Sequence, residues 1–238
     1  MYFHGKETRK RIPNLPDAND NEGHIELNKP ITSSILYLGE STIAGVGVDS
    51  HANGFAGYMS REMANSYQIN INYQVIAKSG WKAIDLYNNL HHRLPDRSFQ
   101  LIVLGLGGND SFQFTSPTKW VKATRQLVHL LQNQYGNTPI LFCNLPPTSE
   151  FIAFPPILKS KIGKMTDLLR ISLKRSVDKI EGVYFQDESI SLENWSRRHN
   201  LESNPALYFS DGVHPSELTY KIWAKESAGF AKASGISI

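Results

Sequence analysis

The chain has 238 residues, enough for one sizeable domain, with 40% hydrophobic and 20% charged residues, proportions ordinary for a globular protein. A formal net charge of +3 and a pI near 8.8 are too mild to indicate a nucleic-acid partner, which calls for a clustered basic stripe. The single cysteine, Cys143, excludes an intramolecular disulfide and a cysteine-based metal site.

Residues 1–30 are polar and punctuated by Pro13, Pro16 and Pro30. They read as an extended or disordered arm, with residues 31–238 as the folded domain. Lys6, Arg9, Lys10 and Arg11 cluster in this arm and read as a solvated segment. The arm lacks the apolar stretch of a secretory signal, and no run of 18 apolar residues follows. The expectation is a cytoplasmic protein without stable membrane insertion.

After the arm, short apolar runs alternate with helical spacing. The runs 35–38, 71–77, 101–106, 140–145 and 183–185 are nearly continuous in apolar residues, as strands covered on both faces require. Phe55, Met59 and Met63 open a first helix. Val121, Thr124, Val128, Leu131 and Tyr135 stripe a second, which Ser116 caps and Pro117 starts. Leu158, Ile162, Met165, Leu169, Leu173, Val177 and Ile180 line a long third helix, and Leu218, Ile222 and Trp223 a last one. This alternation predicts an α/β fold, a three-layer α/β/α sandwich around a mainly parallel five-stranded sheet. Ligands in such sheets sit beyond the carboxyl ends of the strands. That rule gathers Gly39-Glu40-Ser41, Ser79-Gly80 and Gly107-Gly108-Asn109-Asp110 on one rim.

The glycines at 39, 45 and 47 do not make a nucleotide site. A phosphate loop needs a second glycine at 44, which is Ala44, and then a lysine; a dinucleotide loop needs a different glycine spacing. The G-x-S-x-G elbow is also missing around Ser41. A serine hydroxyl is a weak nucleophile until a base takes its proton. Asp211-Gly212-Val213-His214 offers one, since an Asp three residues before a His can orient Nδ1 and leave Nε2 free, although by itself the motif reads more readily as Asp211 capping a turn with His214 a partly exposed loop residue. Asn109 and the Gly80 backbone could donate to an oxyanion, although Asn109-Asp110 reads equally as an Asx turn.

In combination and in this order, Gly39-Glu40-Ser41, Gly80, Gly107-x-Asn109-Asp110 and Asp211-x-x-His214 resemble the SGNH hydrolase superfamily, the GDSL-type esterases and lipases, of the bacterial single-domain type. The resemblance spans about residues 34–230. It implies a flavodoxin-like sandwich and an acyl-enzyme mechanism. By motif, Ser41 is the nucleophile, His214 the base and Asp211 its orienter. The backbone N–H groups of Ser41 and Gly80, with the Asn109 side chain, form the oxyanion hole. Glu40 stands where the family most often has Asp, so any bonds it makes to the loop must shift by a methylene.

The function expected is therefore ester hydrolysis on a small-molecule or lipid-like substrate, without cofactor, metal or nucleic acid. A lysophospholipase-like activity, a carbohydrate acetylesterase and a thioesterase all fall within the resemblance. A binding domain that has lost catalysis is the alternative. Trp81, Phe112, Phe151 and Phe154 are the candidate substrate contacts, and Phe151 and Phe154 sit on a long proline-stiffened loop. His91 and His92 are adjacent on an expected helix and point apart, while His51, His129 and His199 lack ligand-spaced companions.

Overall fold

The computed structural model describes Pro13 and residues 15–238, so the basic cluster of Lys6, Arg9, Lys10 and Arg11 lies outside the described residues. The sheet grows from β2 (Thr32–Gly39), whose Ile35, Leu36, Tyr37 and Leu38 are all buried. Both faces of this strand are covered, which is why its sequence does not alternate with polar residues. Parallel to it run β3 (Asn70–Ala77) on one side and β4 (Leu101–Gly105) on the other. Then come β5 (Ile140–Phe142) and β6 (Val183–Phe185), also parallel.

Side chains alternate between two cores. Tyr37, Tyr73 and Val103 face the layer of α1 (Phe55–Tyr67) and α7 (Glu217–Ala233). Leu36, Leu38, Ile102 and Leu104 face α2 (Ala83–Leu90), α4 (Pro117–Tyr135) and α5 (Pro156–Val177). Two short helices, α3 (Gly108–Phe112) and α6 (Leu192–His199), complete the α-helices of the described residues. The result is the three-layer sandwich, and the five parallel strands stand in the flavodoxin-like order, second-first-third-fourth-fifth.

A sixth strand corrects the expected five. β1 (Glu22–Ile25) pairs antiparallel with the edge of β3. Its four residues, Glu-Gly-His-Ile, carry no apolar run, and Gly23 is there to accommodate a neighbour: a Cβ at that position would fall 2.1 Å from the Tyr73 ring. A strand specified by its partner's side chain leaves little trace in its own composition. The preceding segment is also tied down, with Ala18 N–H donating to Ala44 O and Asp20 accepting from Ser50 and His51. Helix α2 stops at Leu90, so His91 and His92 lie in the turn beyond it.

Gly39, at the end of β2, is required by space rather than by backbone angle. A Cβ there would lie 2.2 Å from Gly105 O and 2.6 Å from the Ile43 side chain. Because the obstacle includes backbone, Gly39→Ala is expected to cost about 3 kcal/mol. For a domain this size that lowers Tm by roughly 6–12 °C. An unchanged melting curve would show that the β2–β4 contact gives way.

Candidate active site

The strand order reverses between β2 and β4, the switch point where ligands of open α/β sheets bind. The chain leaving β2 turns at once: Glu40 N–H donates to Gly105 O, Ala44 N–H to Glu40 O and Val46 N–H to Ser41 O. Gly45 and Gly47, with φ of +68° and +92°, supply the left-handed backbone that the loop needs. Ser41 is left half-buried, and its hydroxyl makes no hydrogen bond among the described residues.

The loop touches each of the other three sequence blocks. On the first side, Lys78 N–H donates to Gly39 O at 3.3 Å, which brings the Ser79-Gly80 turn to the end of β2. Gly80 has φ of +89°. Neither the Gly80 nor the Ser41 backbone N–H is engaged by a hydrogen bond among the described residues. On the second side, Gly47 approaches the C-terminal turn so closely that a Cβ would sit 3.0 Å from Ser210 Oγ. Tyr220 on α7 adds a bond from its hydroxyl to Val46 O, 2.8 Å long.

Within that turn, His214 Nδ1 and Asp211 Oδ2 are 2.7 Å apart. Asp211 Oδ1 accepts from the backbone N–H of Val213 and His214, at 2.9 and 2.8 Å. Burial would raise the Asp211 carboxyl, but the bonds from His214 and Val213 outweigh it and hold it below the usual range. An ionised acceptor at Nδ1 fixes the imidazole with its proton on that nitrogen. Nε2 stays free, with no hydrogen bond among the described residues.

The third contact runs through Glu40, which is buried. Its carboxylate accepts Gly108 N–H at 2.6 Å, Asn109 N–H at 2.9 Å and the Asn109 side chain Nδ2–H at 2.5 Å. The glycine before Asn109 is part of this clamp, since a Cβ on Gly108 would lie 3.0 Å from Glu40 Oε1. One hydrogen of the Asn109 amide is thus spoken for and the other is available to a ligand. The extra methylene of glutamate lets the carboxylate reach across from β2 to the start of α3.

A family model described as the GDSL-like lipase/acylhydrolase family matches residues 37–222. The chain belongs to that family. Among solved structures it is similar to a GDSL-like lipase from Parabacteroides merdae described as putative, at 17% identity and TM-score 0.64, covering 86% of this chain and 96% of that one. It is also similar to the lipase Lip_vut3 from a goat rumen metagenome, at 18% identity and TM-score 0.63 over 86% and 98% of the two chains. Axe2, an acetylxylan esterase from Geobacillus stearothermophilus, aligns at 14% identity and TM-score 0.58, over 86% and 95%. At these identities the structural neighbours speak for the fold. No curated protein matches the sequence.

Two features of this GDSL-like chain connect the site blocks from a distance. Asp110 is buried and its Oδ2 accepts Ala83 N–H at 2.9 Å, capping α2 from 27 positions away. It therefore ties the Gly80 turn to the Asn109 loop rather than making only a local Asx turn. Burial raises its carboxyl, and the Ala83 bond opposes the rise. Secondly, a buried hydroxyl chain, Thr148 to Thr166 to Ser111, joins the loop after β5 to α5 and α3. Neither pairing has a sequence signal, because both partners are distant and polar residues are common in loops.

Of the candidate substrate contacts, Phe112, Phe151 and Phe154 come together with Phe209, with ring centroids 5.3 to 6.1 Å apart. Phe151 is buried in the core, whereas Phe112 and Phe154 are half-buried. The loop that carries Phe151 docks on the Asp211–His214 turn through Ala153 N–H to Gly212 O, 3.1 Å. Trp81 packs toward α2 and α4, under the Arg93 guanidinium at 5.6 Å. Among the described residues no group of three or more His, Cys, Asp or Glu could hold a metal ion, and no helix is long and apolar enough to cross a membrane.

Burial pushes the Glu40 carboxyl up to about 7, opposed by the N–H donors of Asn109 and Gly108 and assisted by the neighbouring Asp110. A raised carboxyl binds its proton more tightly in the folded chain than in the unfolded one. Its contribution to stability is complete below the ordinary glutamate range and is lost as pH rises through about 7. Glu40→Gln should abolish that dependence, worth about 3 kcal/mol across the interval. Melting temperatures of both proteins between pH 4.5 and 7.5 test this, and parallel curves would contradict it.

Proposed function

We propose that the chain is a serine ester hydrolase working through an acyl-enzyme on Ser41. His214 Nε2 takes the proton from Ser41 Oγ, which attacks the ester carbonyl carbon. Asp211 holds the imidazole in the required tautomer and stabilises the imidazolium. The negative oxygen of the tetrahedral intermediate is received by the Ser41 and Gly80 N–H groups and the second Asn109 amide hydrogen. His214 then returns its proton to the departing alcohol, and a water activated by the same imidazole releases the acid. Phe112 and Phe154 line the acyl side, with Phe151 packed behind them.

The observation that carries the reading is the Asp211–His214 pair, with Nε2 unengaged, on a turn packed against the Ser41 loop. Ester hydrolysis is the chemistry of the family, and the finer choice among carboxylic esters, lysophospholipids, thioesters and acetylated sugars belongs to the acyl and alcohol sides of this site. A panel of p-nitrophenyl esters from acetyl to palmitoyl, with acetylated xylan and an acyl thioester, tests it. Turnover of at least one acyl ester is expected, and none across the panel would overturn the proposal.

A further inference from the structure

Helix α5 has a core face and an outward face of unusual composition. Ile162, Thr166, Leu169, Leu173 and Val177 are buried. On the opposite side, at three- and four-residue intervals, stand Ile157, Lys161, Lys164, Leu168, Ile171 and Arg175. Ile157 is 74% exposed, Leu168 51% and Ile171 39%. The stripe contains no acid, and Lys164 and Arg175 make no ion pair among the described residues.

The neighbouring helix extends the charge. Helices α4 and α5 pack together through Trp120, whose Nε1–H donates to Leu169 O at 3.1 Å. Between them they carry nine Lys and Arg and one acid, Asp167, which faces Arg170 at 3.7 Å on the flank of α5. The whole chain has an excess of only +3, so the remainder is net negative and the positive charge is concentrated on this layer. That polarity is invisible in the total charge. The layer also ends at the active-site rim, because α5 starts directly after the loop that docks on the Asp211–His214 turn. Ile152 on that loop and Phe114 after α3 are also exposed.

We propose that the α4–α5 face docks on an anionic lipid surface, with the basic side chains at the headgroups and Ile152 and Ile157 in the acyl boundary. Alternating exposed aliphatic and basic side chains suit such an interface, where lysine stems lie along apolar surface and their charges reach anionic headgroups. A nucleic acid would use the charges and leave the isoleucines and leucine in water. A second copy would set the basic stripe against itself. This docking is independent of the esterase reading and turns the rim toward the surface from which a lipid-like ester would come.

Flotation of the full chain with vesicles tests it, using phosphatidylcholine alone and phosphatidylcholine with about one-third phosphatidylglycerol. Binding to the anionic vesicles only is expected, weakening steeply with salt. The double variant Lys164→Glu and Arg175→Glu should lose at least tenfold in affinity, and Ile152→Ser with Ile157→Ser a comparable factor, with melting temperatures unchanged. Replacing Lys6, Arg9, Lys10 and Arg11 by Ala should leave the effect of the α5 variants intact. Four results would each overturn the proposal: no binding by the wild type, equal binding to neutral vesicles, binding lost with the arm but retained in the α5 variants, or duplex DNA bound as tightly as the anionic vesicles. Vesicle binding is read without catalysis, so an inactive enzyme that floats refutes only the esterase reading.

Discussion

Ser41→Ala is expected to reduce ester turnover by about 10⁴-fold or more while leaving the fold in place. The two halves of that statement have separate grounds. In the proposed mechanism the hydroxyl is the atom that forms the acyl-enzyme, and the adjoining Thr42 hydroxyl is buried. Since the hydroxyl makes no hydrogen bond among the described residues, its loss should change stability by no more than about 0.5 kcal/mol. Steady-state kinetics with a short-chain ester, alongside thermal melts of both proteins, reads the two effects independently. Turnover within tenfold of wild type would remove Ser41 from the chemistry.

A second large effect should follow from Asp211→Asn, which keeps the size of the side chain and removes its charge. Oδ1 accepts two backbone N–H groups, so the oxygen of an asparagine is held on that side. Its NH₂ then faces His214 Nδ1, where Oδ2 stood at 2.7 Å. A donor there forces the imidazole into the tautomer with Nε2 protonated, which cannot accept the serine proton. Analogous replacements in serine proteases lower kcat by about 10⁴-fold, and a loss of that order is expected here. The opposite amide orientation offers no escape, because it points the NH₂ at two backbone donors. A kcat reduced less than tenfold would mean that His214 does not depend on Asp211 for its tautomer.

The same physics explains what could and could not be read from the residues in order. The parallel strands were legible because burial on both faces makes their sequences almost purely apolar, as in Ile35-Leu36-Tyr37-Leu38. Helices α4 and α5 were legible from a periodic face and, for α4, from a cap that the structure retains, Ser116 Oγ accepting Lys119 N–H at 3.4 Å. Strand β1 was not, since Gly23 is explained by the Tyr73 ring and by nothing nearer in sequence. Helix α6 was not legible either: its eight residues hold only Leu192 and Trp195 as buried apolar anchors, too few to set a period.

Within the site, the order of the four blocks was legible, and the clamp that connects them was not. Glu40 looked like an imperfect Asp. Its carboxylate in fact gathers two backbone N–H groups and the amide of Asn109, so its length suits the gap it spans. Gly39 offers no reason of its own in sequence, whereas its missing side chain makes room for Gly105 and Ile43. Both are facts of approach between segments far apart in the chain, which local spacing does not encode.

The central claim is that Ser41 is activated by His214 and not merely exposed at a strand end. Incubation with a fluorophosphonate followed by peptide mass spectrometry tests it most directly, because the reagent phosphonylates only a serine whose proton is being removed. A single adduct on the peptide carrying Ser41, absent from the His214→Ala variant, is the result predicted. An unlabelled chain, or an adduct on another serine, would contradict the assignment and leave a family fold whose site only binds.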